Sequence, residues 1–434
     1  WVAAAPRYPS ERILVANLPG VEIGSVLDYE IVSKVDGKPF FSTIQTFNTH
    51  EPIDRKTVRL TAPESLGLEI VNTGIAETKT ASGGSITYAW TATNQPAVKH
   101  EEALPEWWTF NPTVFISTGN WKTYSIKVHD HLLAATAGQS ETEALARQLT
   151  EGLGTKSEKA IALRNWVAEN LRPAGPSLTS LPLSAISAAD QTLNDHYGNN
   201  PDRMVVLYTM LQAAEFSPRF ILSGALSMIP EAAEALIDVP MRDAFDAVLI
   251  KVDIDGETVY LNGSSQYAEL GTSSYNHRTL LDLSDGSTAT IHVAPGKDNR
   301  SHTVYEMSID AEGEAGLTGT SLIQGTAFES FHNLYAEMTP ENRRRHYLEL
   351  VSGISQSARA ASDLITDYTG YPGMLEYAVH AARYAVQDGD YLYFTVPGGF
   401  GNLLKYRSNE RTLPLSWEGY VDLLTEYNIV LPDG

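Results

Sequence analysis

The clearest periodicity in the chain lies between His196 and Leu222. Met204, Leu207, Tyr208 and Leu211 recur at i, i+3, i+4 and i+7, an apolar stripe long enough to plug a core. Asn200, Pro201 and Asp202 precede it as an N-cap, a first-turn proline and an early acid, so a helix is predicted to open at Asn200. Ser217 and Pro218 break the pattern, and Phe216 to Leu222 reads as a short strand. Two capping boxes lie upstream. Ser140 with Glu143 leads Leu145, Leu149 and Leu153 until Gly152 and Gly154, and Thr155 with Glu158 leads Ala160, Leu163, Val167 and Leu171 with Trp166 beside them.

Before these helices the pattern has a period of two. Ile13–Asn17, Val26–Val35, Phe40–Phe47, Thr57–Thr61 and Ser85–Thr93 are β-branched or aromatic runs separated by Pro19-Gly20, Asp36-Gly37 and Gly83-Gly84, which predicts an antiparallel β-sandwich. After the Asn200 helix, Met228–Met241 is an alanine-rich acidic insertion with some helix. Phe245–Asp253 and Thr258–Leu261 then flank the hairpin signal Asp255-Gly256. The last third predicts strands at Thr303–Ala311, Leu317–Gln324, Leu375–Ala381 and Tyr391–Val396, and a helix from Pro340 to about Val351 capped by Thr339. The loop from Pro173 to Asp195 is long and polar, and reads as functional or mobile.

A chain of 434 residues implies two or three domains. Its formal charge of −22 argues against nucleic acid or an anionic membrane surface as partner. No run of about 18 apolar residues offers a membrane span. Cysteine is absent throughout, which excludes disulfides, thiolate metal sites and cysteine nucleophiles together and favours an extracytoplasmic setting. The chain opens on Trp1 without a leader pattern, so a removed leader or a longer parent protein is expected.

Tyr197-Gly198-Asn199 followed by a helix and a short strand resembles the nucleophile segment of the transglutaminase-like superfamily. Asn262-Gly-Ser-Ser265 with Tyr267-Ala-Glu-Leu-Gly271 resembles a second phrase of that family. Leu18-Pro-Gly-Val-Glu-Ile-Gly24 leading into Ser25–Ile31 resembles a β-rich domain of unknown function that commonly precedes such a domain in bacterial, often secreted, proteins. The resemblance implies that the first strands of that domain fall before this sequence. Arg411–Leu415 and Ile429–Pro432 resemble phrases of the β-rich domain that closes such proteins. The resemblance implies a multidomain α+β chain: a β-sandwich over 1–124, a papain- and transglutaminase-like α+β core over 125–278, and a β-rich C-terminal domain over 279–434.

In that family a cysteine, a histidine and an aspartate supply nucleophile, base and orienting carboxylate. The matching positions here are Asn200, Ala247 and Asn262, a degenerate triad from which all three roles are gone. The expectation is therefore a catalytically inactive cell-envelope protein, secreted or periplasmic, that binds or assembles with a protein or glycan. No cofactor is called for. An alternative is a glycan-active hydrolase reusing the cleft with a carboxylate pair, since Asp202, Asp243, Asp246 and His196 lie near the degenerate positions in sequence or expected fold. A third is a structural subunit of a larger surface assembly.

Trp107, Trp108, Tyr197, Asp202 and Asp246 are the candidate ligand-binding residues, the adjacent tryptophans as sugar platforms or as a plug between domains. His129 and His131 flank Asp130 on an expected strand but find no third ligand at usable spacing, and no metal is expected. Asp253–Gly256 lacks the terminal glutamate of a calcium loop. Pro397-Gly-Gly-Phe-Gly401 reads as a turn. Ligand, partner and oligomeric state stay open.

Overall fold

The computed structural model describes residues 5–8, 15, 17–224, 226–263, 265–399, 411–416 and 422–432. Among them, no helix is long and apolar enough to cross a membrane. The amino-terminal third carries β1 (Ser42–Thr46), β2 (Ile53–Pro63), β3 (Glu69–Thr73), β4 (Glu77–Ser82), β5 (Ser85–Gln95) and β6 (Thr113–Ser117). They form two antiparallel sheets, ordered β1-β6-β3 and β2-β5-β4, closed over a core of Phe47, Trp90, Ala92, Val114 and Ile116. This is the expected sandwich, but its membership differs. Val26–Val35 is no strand: it runs exposed, with Val26 and Val32 facing solvent and no partner strand among the described residues. Alternation alone does not make a strand, because the ladder needs a neighbour. Of the expected strand Ile13–Asn17, Ile13, Leu14 and Ala16 lie outside the described residues.

The middle of the chain runs α1 (Trp121–Thr136), α2 (Ser140–Thr150), α3 (Lys156–Asn170), β7 (Arg172–Pro173), α4 (Ala189–Asp195), β8 (Tyr197–Gly198), α5 (Asn200–Ala213), β9 (Arg219–Ser223), α6 (Pro230–Asp238), β10 (Ala247–Ile254), β11 (Glu257–Leu261), β12 (Thr279–Asp282) and β13 (Thr288–Thr290). β7 pairs with β8, and the other strands form one sheet ordered β11-β10-β9-β12-β13. Helix α5 lies against one face of that sheet and buries every residue from Pro201 to Leu211. Its side chains join Val248, Ile250, Val252 and Leu261 with Leu163 and Val167 of α3 in the largest core of the molecule.

Several local readings change on inspection. His129 and His131 stand on α1, not on a strand, and point outward past the buried stripe Tyr124, Val128 and Leu132. The capping box holds at Thr155 and Glu158 but fails at Ser140. There α2 begins at Ser140 itself and is capped from a distance. The Asp190 carboxylate of α4 accepts from the Glu141 and Thr142 amides at 3.2 and 2.8 Å. The supposed long loop Pro173–Asp195 thus holds α4 and two single-turn 3-10 helices. Asp255 and Gly256 do make the β10–β11 hairpin, both at positive φ.

The C-terminal third holds β14 (Arg300–Ile309), β15 (Ala315–Ile323), α7 (Thr326–Glu337), α8 (Pro340–Ile354), β16 (Ala358–Ala360), β17 (Ile365–Asp367), β18 (Gly373–Ala381), β19 (Val386–Asp388), β20 (Tyr391–Tyr393) and β21 (Asp422–Val430). The main sheet is ordered β16-β18-β15-β14-β21, with β21 parallel to β14 and β17 also pairing β18. Met307, Leu317, Tyr377 and Val379 form its core under α8. Pro397–Gly399 is a turn, and Phe400 and Gly401 lie outside the described residues. The Arg411 guanidinium donates to the carbonyls of Glu102 and Ala103, and the Glu101 carboxylate accepts from the Thr412 and Leu413 amides. The stretch after β5 and the C-terminal third are joined there.

Candidate functional site

The candidate site lies at the amino-terminal foot of α5. The helix is capped by Asn199, not Asn200: the Asn199 side chain accepts from the Asp202 amide at 3.1 Å. That shift of one residue places Asn200 in the first turn with its carboxamide free to act elsewhere. It reaches β10. Asn200 Nδ2 donates to the Val248 carbonyl at 3.0 Å, and Asn200 Oδ1 accepts from the Val248 amide at 2.6 Å. β11 pairs with β10 only as far as Ile250 opposite Leu261, so the main chain of Val248 lies beyond the end of its neighbour. The Asn200 amide, itself a copy of a peptide group, continues the ladder there.

The three positions that the resemblance assigns to a triad, Asn200, Ala247 and Asn262, are placed differently. Asn200 meets the main chain beside Ala247. The Ala247 side chain packs with Ile221, Leu249, Tyr260 and Leu280, whereas Val248 and Ile250 pack with α5. Alternation along a strand thus turns position 247 to the sheet face away from the helix. Asn262 lines a small polar cavity with Arg164, Ser265, Thr272, Ser273 and Glu329. Arg164 is 5% exposed, and burial lowers its pKa to about 10. Its Nε and Nη2 donate to Asn165 Oδ1 at 3.0 and 2.8 Å. Between foot and cavity, Arg203 Nη2 donates to the Gly263 carbonyl at 2.6 Å.

Asp202 is fully buried, and both of its oxygens are engaged. Oδ1 accepts from the Ser187 amide at 2.8 Å; Oδ2 accepts from the Tyr8 hydroxyl at 2.5 Å and from Arg7 Nη2 at 3.0 Å. Tyr8 in turn accepts from the Asn199 amide at 2.6 Å. Arg7 Nη1 donates to Asp195 at 2.5 Å, and its main-chain amide donates to the Tyr197 hydroxyl at 3.0 Å. The guanidinium groups of Arg7 and Arg172 both lie over the Tyr197 ring, 5.1 and 5.6 Å from its centroid. Burial works against the Arg7 charge, but the Tyr8 hydrogen bond and the charges of Asp202 and Asp195 outweigh it, so its pKa stands above the ordinary value. Burial first, then Asp202, drives the Tyr8 phenol upward, which keeps it a neutral donor. Gly175 makes room: a Cβ there would come within 2.5 Å of the Tyr8 ring, and φ is +103°.

Sequence reasoning flagged Asp202 and Tyr197 but missed Arg7 and Tyr8, because no local periodicity links residue 7 to a helix that starts near residue 200. Asp246 lies half-buried just before β10. Burial, and secondarily Asp243, raises its pKa, and its Oδ1 lies against Gly224. The two tryptophans diverge: Trp107 meets His50 edgewise and Phe110 at a tilt of 34°, and the Trp108 indole donates to the Ala232 carbonyl at 3.0 Å and packs on the main core. They form no shared platform. Among the described residues, no grouping of histidine and acid side chains could hold a metal ion.

Residues 1–99 match the family described as a Domain of Unknown Function with solved-structure structure, DUF3857. No curated protein matches the chain. Its fold is shared with a "putative protease" of Parabacteroides distasonis ATCC 8503, with a TM-score of 0.50 and 15% identity over 86% of this chain and 74% of that one. A "putative cysteine protease" of Cytophaga hutchinsonii is 11% identical with a TM-score of 0.27, covering 59% of this chain and 91% of that one.

Proposed function

We propose that this chain, a multidomain α+β protein of transglutaminase-like fold, is a non-catalytic scaffold of the bacterial cell envelope that acts by binding. The observation that carries the reading is the double hydrogen bond between Asn200 and Val248. Where the related fold would present a thiolate, this one presents a carboxamide tied to its own sheet. An amide is no nucleophile at neutral pH, and both of its polar atoms are engaged with the main chain. The absence of cysteine removes a substitute thiol.

The alternative with a carboxylate pair finds less support. Asp202 is sealed and holds three donors, so it cannot serve as acid or base without breaking the foot of α5. Incubation with casein, or with a glutamine peptide and an amine, should release neither peptide nor ammonia. Turnover that disappears on Asn200→Ala would overturn the proposal.

A further inference from the structure

The foot of α5 is built around a filled slot. Thr192, Asp195, Tyr197, Asn199 and Asp202 form its walls, and Arg7 and Tyr8 occupy it from nearly two hundred residues away in sequence. Two features make the occupant more than ordinary packing.

The slot demands a cation and a hydroxyl. With Arg7 and Tyr8 withdrawn, the fully buried Asp202 would keep only the Ser187 amide, and the Asn199 amide would lose its acceptor. An uncompensated buried carboxylate is costly, so the slot favours one filling group over emptiness. The second feature is the tether. Residues 17–36 have no strand or helix and stand exposed. Among the described residues before Gly37, only Ala5–Tyr8 reaches the core, with Ala5 and Tyr8 buried. Among the described residues, the hold on the slot therefore comes from the Arg-Tyr pair and the buried Ala5 and not from a surrounding sheet.

We propose that this slot is a binding site for a polypeptide segment carrying an arginine followed by a tyrosine, and that residues 5–8 are its occupant in cis. The proposal rests on the non-catalytic reading and names its ligand class. The guanidinium spans Asp195 and Asp202 while lying on the Tyr197 ring, a geometry suited to arginine and not to lysine. The phenol donates to Asp202 and accepts from Asn199, which phenylalanine could not do. A segment from a second polypeptide meeting both conditions displaces the cis occupant.

The test uses a fluorescein-labelled hexapeptide, Ala-Ala-Pro-Arg-Tyr-Pro, titrated by anisotropy into the full chain. Arg7→Ala should bind it at least about tenfold more tightly than the unaltered protein, because cis competition is gone. Tyr8→Phe, a milder change that keeps the ring, should show a smaller gain and serves if Arg7→Ala fails to fold. Adding Asp195→Asn to either variant should weaken binding severalfold, and a peptide with leucine for arginine should not bind. Equal affinity of variant and unaltered protein, or binding of the leucine peptide, would overturn the slot. Chromatography of the recovered peptide separates the two proposals: cleaved peptide refutes the non-catalytic reading, whereas intact but unbound peptide refutes only the slot.

Discussion

The foot of α5 and the polar cavity beside Asn262 are bridged by Arg203, yet they treat polar groups in opposite ways. At the foot, Asn199, Asn200 and Asp202 all have partners within the chain, down to both oxygens of the buried acid. In the cavity, the buried Arg164 leans on a neighbouring amide and makes no ion pair among the described residues, with a ring of hydroxyls around it. Asn200 is thus a joint between helix and sheet. Buried polar groups are retained at such joints because removing one partner is far more costly than the pair is stabilising.

The comparison breaks first at its largest expected effect. Asp202→Ala removes the acceptor shared by Tyr8, the Ser187 amide and one end of the Arg7 guanidinium, and should lower stability by about 3 to 5 kcal/mol in urea unfolding. Arg164→Met removes a buried charge that has no carboxylate within ion-pair distance among the described residues, only the nearby charges of Glu269 and Glu329, and should be neutral or stabilising in the same assay. Equal losses at both sites would erase the contrast. Next is Asn200→Ala, which strands the amide and carbonyl of Val248 and should cost about 1 to 3 kcal/mol. Its companion Asn200→Cys with Ala247→His should still turn over no casein, because position 247 faces away from the helix.

A smaller effect is expected at α2. Asp190→Ala removes the distant cap and should cost about 1 kcal/mol, measurable as a lowered Tm. The smallest is a pH effect at Asp246, whose pKa is raised by burial. The folded state holds that proton more tightly than the unfolded chain, so the stability it contributes is present below the ordinary carboxylate pKa and lost as pH rises through the folded value. Asp246→Asn should therefore slightly stabilise the protein at neutral pH and make no difference in acid. A stabilisation that persists unchanged in acid would assign it to packing instead of charge.

Helices α3, α5 and α8 were legible from the sequence because their signals are local: an apolar stripe, a capping residue, a first-turn proline. The Asp255-Gly256 hairpin was legible for the same reason. Val26–Val35 misled, since its alternation is genuine but the neighbouring strand it needs is absent from the described residues. Asn200 was located correctly and its role misjudged by one step, because cap and first turn differ in sequence by a single residue and only the hydrogen bond to Asp202 shows which is which.

By itself, then, the sequence determined where the main helices lie, that no thiol could act, and which three positions, Asn200, Ala247 and Asn262, the resemblance singles out. Tertiary structure alone decided what those positions became: that Asn200 would close the ladder at Val248, that Asp190 would cap a helix some fifty residues earlier, and that Arg7 would reach Asp202. The physical reason is range. Propensity, caps and turns are settled among residues a few places apart, while the satisfaction of a buried polar group depends on whatever the folded chain brings within about 3 Å of it.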